Sequence, residues 1–384
     1  MPISVANLPS SAPPANEVAS LLNTIFTAKT SQESLDASYA LTNLLIQTTG
    51  YRGIKDFNLL TEIKKAAADK KNGVRRESAM LILGALFEVF PKQDRLSEVV
   101  FLIEDGGALG LALDALSDKG AVVRDAAQYA VDALFTMLRP ESLVSAFLPA
   151  LLRYLEKGTA KWQGAVGAYA LLEKMAKKAE MGTGTQAEER EKDLLREAMG
   201  AALKEIIPVV SSGMHDLKNE VAKQAVKAMI ALANLITNED VIPRIPLLIK
   251  AMEQPSADTL QKTILALSQT TFVAVVTSPV LALLTPLLER SLNTPTTPQE
   301  VLRQTVVVVE NLTKLVHDPA EARAFLPRLR PGVQSVKNRA SLPEVRELAD
   351  RALNVMDKAM GDDKLPADST ISRSAPQDVL KVLE

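Results

Sequence analysis

The chain has 384 residues, 47% of them hydrophobic but only 4% aromatic, with a formal net charge of −2 and no cysteine. Disulfides and thiolate metal sites are therefore excluded, and a chain this near neutrality has no overall avidity for nucleic acid, so an anionic partner must be met by local basic clusters. Alanine, leucine and valine dominate at the expense of aromatics, which suits helices packed closely on one another and predicts an all-α protein.

The N-terminal MPISVANLPSSAPPANE lacks the basic region and apolar core of a signal peptide. No apolar run approaches the roughly 18–20 residues that cross a bilayer. The expectation is a soluble, intracellular, monomeric protein with no membrane contact. Residues 1–15 carry four prolines and three serines and are predicted to be disordered. From Asn16, EVASLLNTIF and SQESLDASYALTNLLIQ form a first pair of helices.

Arrays are easily mistaken for strings of separate domains, and a fixed period distinguishes them. Aligning the second helix of each pair on its entry residue gives Leu35, Val74, Val123, Trp162, Val221, Leu260, Leu302 and Val345. The steps are 39, 49, 39, 59, 39, 42 and 43 residues. Inserted loops account for the two long steps: PKQDRLSEVVFLIEDGG, 91–107, is long enough for an extra turn or short helix, and the polar, glycine-interrupted KKAEMGTGTQAEEREKD, 177–193, reads as a loop. First helices share an aliphatic-proline entry at Pro149, Pro208, Pro246, Pro286 and Pro327, where proline is tolerated near a helix start.

The stretch from Gln299 shows the repeat most clearly. Its four consecutive valines could form a buried strand, but Leu302, Val306, Val309, Leu312 and Val316 recur at steps of 4, 3, 3 and 4 and so mark a helix. Thr297 is the expected N-cap, and His317-Asp318-Pro319 closes the helix. Five such side chains, once buried, contribute roughly 1.5–3 kcal/mol each before conformational entropy is subtracted. One hairpin cannot cover both its apolar faces, so neighbours must. The reading is a HEAT/armadillo-like, right-handed solenoid of about eight helical hairpins over residues 16–358. GDDKLPADSTISRSAPQ then reads as a linker, 359–378, and DVLKVLE, 379–384, as the opening turn of a further helical domain, as though more protein followed.

Catalytic chemistry is not visible in this sequence. His215 and His317 fall in inter-helix loops without zinc-site spacing, no GxxxxGK[ST] occurs, and Gly182 and Gly184 sit in the polar insertion as spacers. No small-molecule substrate is expected. Basic clusters are the one site-like signal: Lys64, Lys65, Lys70, Lys71, Arg75 and Arg76 gather at one inter-helix turn, and Lys157, Lys161 and Trp162 at another. Parallel stacking would bring equivalent turns to one edge, a discontinuous positive strip suited to phosphates. The bland alternative is that charged turns are simply wet. For Arg75, Arg124, Arg303 and Arg346, at a recurrent position, the expectation is pairing with acids of the adjacent repeat. Trp162, the single tryptophan, is read as a core anchor, with stacking at the edge as the alternative.

Taken in order, VRRESAMLIL, DAAQYAVDAL, AKWQGAV, TTFVAVVT, LLTPLLERSLN, LRQTVVVVENLTKLV and ASLPEVRELADRALNV resemble the N-terminal HEAT region of the fungal elongation factor 3 family of ABC ATPases. The last two look most like the branch containing the [NU+] prion formation protein and the related mRNA export factor. The resemblance, over about Gly73 to Met356, implies a cytoplasmic, ribosome-associated translation factor whose HEAT array contacts rRNA and proteins of the small-subunit head. It also implies ATP and magnesium bound by downstream cassettes, whose motifs match no position in this sequence. The alternative is a protein-interaction scaffold, such as a TOG-like tubulin-binding array or a nuclear transport or mRNA export adaptor, which HEAT stacks also serve.

Overall fold

A computed structural model describes residues 15–50, 52–89, 103, 107–158, 160–180 and 185–361. The expected disordered N-terminus up to residue 14, most of 91–107, Gly182 and Gly184, most of the expected linker and the expected final helix lie outside the described residues. Among the described residues there are helices and turns and no strands, as an alanine- and leucine-rich composition requires. No helix among them is long and apolar enough to cross a membrane.

The chain divides into two compact units, 1–175 and 176–384. Unit 1 contains α1 (Ala15–Thr27), α2 (Ser31–Thr48), the short α3 (Arg52–Asp56), α4 (Leu59–Ala67), α5 (Gly73–Val89), α6 (Ala108–Ala115) and α7 (Ala121–Met137). A helical turn, Pro140–Ser142, and a π-helical turn, Leu143–Phe147, then lead into α8 (Leu148–Glu156), followed by α9 (Trp162–Glu180), in which the unit boundary falls. Unit 2 continues with α10 (Gln186–Gly213), α11 (Asn219–Ala233), α12 (Ile245–Glu253), α13 (Ala257–Ser268), α14 (Ser278–Asn293), α15 (Gln299–Lys314), α16 (Pro319–Arg339) and α17 (Pro343–Met360). Every aligned entry residue lies within the first five positions of α2, α5, α7, α9, α11, α13, α15 or α17.

Within unit 1, α5 packs against α2 on one side and α7 on the other, while α4, α6 and α8 form the layer behind. Covered by both layers, α5 is buried continuously from Arg76 to Phe87. A helix covered in this way needs no polar stripe in its middle turns. In unit 2 the second helices α13, α15 and α17 pack in succession, and α14 lies between α10 and α16. The seam of α15 is as periodicity predicts: Leu302, Val306, Val309 and Leu312 are buried, as is Val316 just past the end of the helix.

Four local expectations are corrected. The stretch 177–193 is helical over 177–180 and 186–193, because α9 runs to Glu180 and α10 starts at Gln186. The Thr185 hydroxyl accepts the Glu188 amide as N-cap, and Glu189 pairs with Lys192 one turn on. Good helix formers linked three apart make a helix even where no apolar face exists. The second correction concerns proline: Pro149 and Pro246 do lie at helix starts, but Pro208, Pro286 and Pro327 lie inside α10, α14 and α16. There each removes a ladder hydrogen bond that tertiary packing must offset. Third, Thr297 does not cap α15; its hydroxyl donates to the Ser291 carbonyl at 2.9 Å. The neighbouring Asp318 instead caps α16, accepting the Ala320 amide at 2.8 Å. Fourth, Trp162 is 41% exposed, so it is not a core anchor.

Candidate functional site

The sequence-predicted basic turns both belong to unit 1, and the turn between them joins them. Arg76, in the first turn of α5, reaches the α6–α7 turn, donating from Nε to Asp118 Oδ2 at 2.7 Å and from Nη2 to Oδ1 at 3.0 Å. Its Nη1 donates back to the Asp69 carbonyl at 2.8 Å. The α8–α9 turn docks on the same neighbour. Tyr154 of α8 donates to Asp114 at 3.0 Å, and Gly164 of α9 lies so close to α6 that an added Cβ would stand 2.9 Å from the Leu113 carbonyl oxygen. These contacts link the elements that flank three successive turns, and every basic residue of the expected strip belongs to unit 1.

Its members are not equivalent. Arg76 is 7% exposed and fully engaged with Asp118 and Asp69, so it is a structural tie and is unavailable to a partner. Lys65 is paired with Glu62 at 2.7 Å. Arg75 lies over the Phe26 ring at 5.6 Å and 3.9 Å from Asp69, a half-buried cation in contact with α1. Lys64, Lys70, Lys71, Lys157 and Lys161 are exposed, and none has an acid partner among the described residues. Lys64 extends past Gly107 at the head of α6, and Trp162 opens α9 directly after Lys161.

The recurrent arginines do not pair with acids of the next repeat. Arg124 donates to the Asp118 and Lys119 carbonyls at 2.8 and 3.2 Å, and Arg346 to the Ala340 and Ser341 carbonyls at 2.8 and 3.1 Å, so each closes its own turn. Arg303 pairs with Glu300 in its own helix at 2.9 Å. At the α4–α5 turn it is Arg76, one residue along, that pairs with the next repeat, because a helix advances 100° per residue and turns that position toward Asp118.

What leaves the lysines uncompensated is the fate of the turn acids. Asp69 accepts the amides of Lys71 and Asn72, and these bonds, Asn72 foremost, hold its carboxyl below the usual carboxylate range. Asp118 is held low chiefly by the Arg76 guanidinium, with the Gly120 amide assisting. Both carboxylates are consumed in shaping their turns. A further exposed lysine, Lys119 at the tip of the α6–α7 turn, is not among the clusters visible in the sequence. It stands four positions before Val123, as Lys70 stands four before Val74, so the repeat alignment held the signal although no cluster marked it. His215 and His317 lie exposed in turns, and among the described residues no group of three or more metal-ligating side chains converges.

Comparison with known proteins places this arrangement. Residues 35–189 match the family described as EF3 N-terminal HEAT repeat, and residues 258–367 match elongation factor 3/GNC1 HEAT repeat. The chain is 36% identical over 344 residues to the mRNA export factor elf1 of Schizosaccharomyces pombe, covering 90% of this chain and 30% of that protein. It is 37% identical over 322 residues to [NU+] prion formation protein 1 of Saccharomyces cerevisiae, covering 82% and 25% respectively. With elongation factor 3 of Mycosarcoma maydis it shares 32% identity over 354 residues, covering 91% of this chain and 31% of that protein. The chain thus spans about a third or less of the length of the curated relatives it matches. With both matched segments built, among the described residues, of stacked helical hairpins, the chain belongs to the elongation factor 3 HEAT-repeat family.

Proposed function

We propose that this chain is the ribosome-docking module of a translation factor of elongation factor 3 type, and that the turn edge of unit 1 meets rRNA phosphates and ribosomal protein. Lys64, Lys70, Lys71, Lys119, Lys157 and Lys161 would supply the charge, and the indole of Trp162 an apolar contact between phosphates. The observation that carries this reading is that the acids of two adjoining turns, Asp69 and Asp118, are tied up internally while the exposed lysines of those turns are not. On this reading the ATP and magnesium chemistry belongs to cassettes outside these 384 residues, and the work of this chain is positioning in the cytoplasm.

Each phosphate neutralised adds about 0.7–0.9 to the slope of log affinity against log salt, so some five contacts weaken binding more than about a hundredfold between 50 and 200 mM salt. Co-sedimentation with ribosomes tests this directly. The triple substitution K70E/K71E/K119E is expected to lower binding at least tenfold and to reduce the salt slope, and the fluorescence of Trp162, unique in the chain, should change on binding. Unchanged sedimentation of the triple variant at low salt would refute the assignment. A second reading is favoured by the elf1 relative, named as an mRNA export factor: the same edge could serve as an export adaptor. Nuclear accumulation with co-purifying polyadenylated RNA, and no ribosome association, would select it.

A further inference from the structure

Three side chains from consecutive second helices of unit 1 meet at one carboxylate oxygen. Tyr39 of α2 donates its hydroxyl to Glu88 Oε2 of α5 at 2.6 Å, Tyr129 of α7 donates to the same oxygen, and the two phenol oxygens lie 3.0 Å apart. Glycine makes room for this. At mid-helix Gly84 an added Cβ would stand 2.1 Å from Cε1 of Tyr129, so the ring rests on bare backbone. A mid-helix glycine is destabilising relative to alanine, and here it admits the ring that reaches Glu88.

The hydroxyls of Tyr129 and then Tyr39 hold the Glu88 carboxyl below the usual range, so it is an anion at neutral pH. Burial, followed by the bond to Glu88, keeps the Tyr129 phenol protonated. No cation among the described residues pairs with Glu88. Next to it opens a hollow of about 260 Å³, lined by Phe87, Glu88, Tyr129, Asp132, Ala133 and Met137 among others. On its far side Asp132 is already paired with Lys174 of α9, the kind of partner that Glu88 lacks.

The chemistry narrows the occupant. The hollow is smaller than the roughly 300–1,000 Å³ of pockets that enclose drug-sized ligands, so it suits a single side chain. An anion is excluded by Glu88. A hard metal ion wants six or more oxygen ligands, and one carboxylate oxygen that already accepts two hydroxyls is a poor start. A long aliphatic stem with a cationic head fits both the apolar wall and the carboxylate. We propose that this hollow receives a lysine or arginine side chain from a basic polypeptide segment, its stem against Phe87, Ala133 and Met137 and its charged head on Glu88. The site lies on the second-helix layer and does not rest on the ribosome-docking reading.

The test is fluorescence anisotropy of the 384-residue chain with a fluorescein-labelled peptide of alternating glycine and lysine, in 50 mM salt. Glu88→Gln is expected to weaken binding at least tenfold, whereas Glu344→Gln, an exposed acid in unit 2, should change it less than twofold. Ala133→Leu fills the hollow without touching the tyrosine–carboxylate bonds and should also weaken binding tenfold, which keeps the proposal testable if Glu88→Gln unfolds the chain. Binding should persist to acidic pH and fail only below the ordinary carboxylate range, as Glu88 protonates. Absence of binding by the unmodified chain, or equal binding by the Glu88→Gln and Ala133→Leu variants, would overturn the site and leave the three side chains as a structural tie. Loss of ribosome binding by the lysine variants with peptide binding intact, or the reverse, separates this site from the turn edge.

Discussion

Unit 1 ties its repeats mainly through sheltered or shared groups at turns and helix faces, with Lys174–Asp132 as an exposed pair, whereas the later repeats of unit 2 are laced by arginines and lysines reaching acids of which Glu310 alone among those named is buried. In unit 1, Arg76 and Asp118 are largely sheltered, with side-chain exposures of 9% and 14%, and Glu88 is shared by two phenols. In unit 2, Arg328 reaches Glu289 at 2.6 Å, Arg330 reaches Asp357 at 2.9 Å, Lys337 reaches Asp350 at 2.5 Å, and Arg351 joins Lys314 on Glu310. Exposed pairs add little stability, but they cancel surface charge. The comparison therefore explains why the lysine strip stands out in unit 1: its acids work inward, and its cations are left to the solvent or to a partner.

The comparison can be broken most easily at Arg76. Arg76→Ala leaves Asp118 sheltered without its partner, and removal of one member of such a pair is expected to cost about 3 kcal/mol, read as a lower urea midpoint at constant slope. Lys70→Ala beside it should change the midpoint negligibly. If both variants unfold alike, the division between tie and free charge fails.

A smaller effect is expected at Glu310, 4% exposed on its side chain. Burial alone would push its carboxyl up, but Arg351 and Lys314 outweigh burial and hold it below its ordinary value. A group whose folded pKa is depressed adds stability above its unfolded value, near 4.3, and loses that contribution as pH falls through the folded pKa. Glu310→Gln should therefore cost about 1 kcal/mol at pH 7 and flatten the acid limb of unit 2 stability. Urea midpoints measured from pH 7 down to about pH 3 check this, and an unchanged limb would remove Glu310 from the ledger of ties.

The smallest change sharpens what the units share. Arg124 and Arg346 each close their own turn through two carbonyls. Arg124→Ala and Arg346→Ala should each cost roughly 0.5–1 kcal/mol, and by similar amounts, as hydrogen exchange of the following helix can report. A large disparity would mean that the common position hides different roles.

Helix identity and repeat phase were legible because they depend on neighbours three or four residues apart. The steps of 39–59 residues located the start of all eight second helices, and the spacing from Leu302 to Val316 located a buried seam. The basic turns were legible too, but not which of their cations is free. Arg75 and Arg76 look alike in sequence, as do Lys64 and Lys65. Glycine and charge are shared by loops and solvated helices, so the polar run at 177–193 does not by itself tell one from the other, whereas the Thr185 cap and the Glu189–Lys192 pair do.

Sequence by itself determined the hairpin, its repetition and the apolar faces that make an isolated hairpin unstable, since these follow from short-range periodicity. The tertiary structure alone decided which charges are spent and where polar groups converge. Arg76 finds Asp118 42 residues away, Arg351 finds Glu310 at 41, and Tyr39 finds Glu88 at 49. Each of those separations is close to one repeat, a distance at which a one-residue change of helical phase turns a side chain by 100° and exchanges a buried tie for an exposed cation.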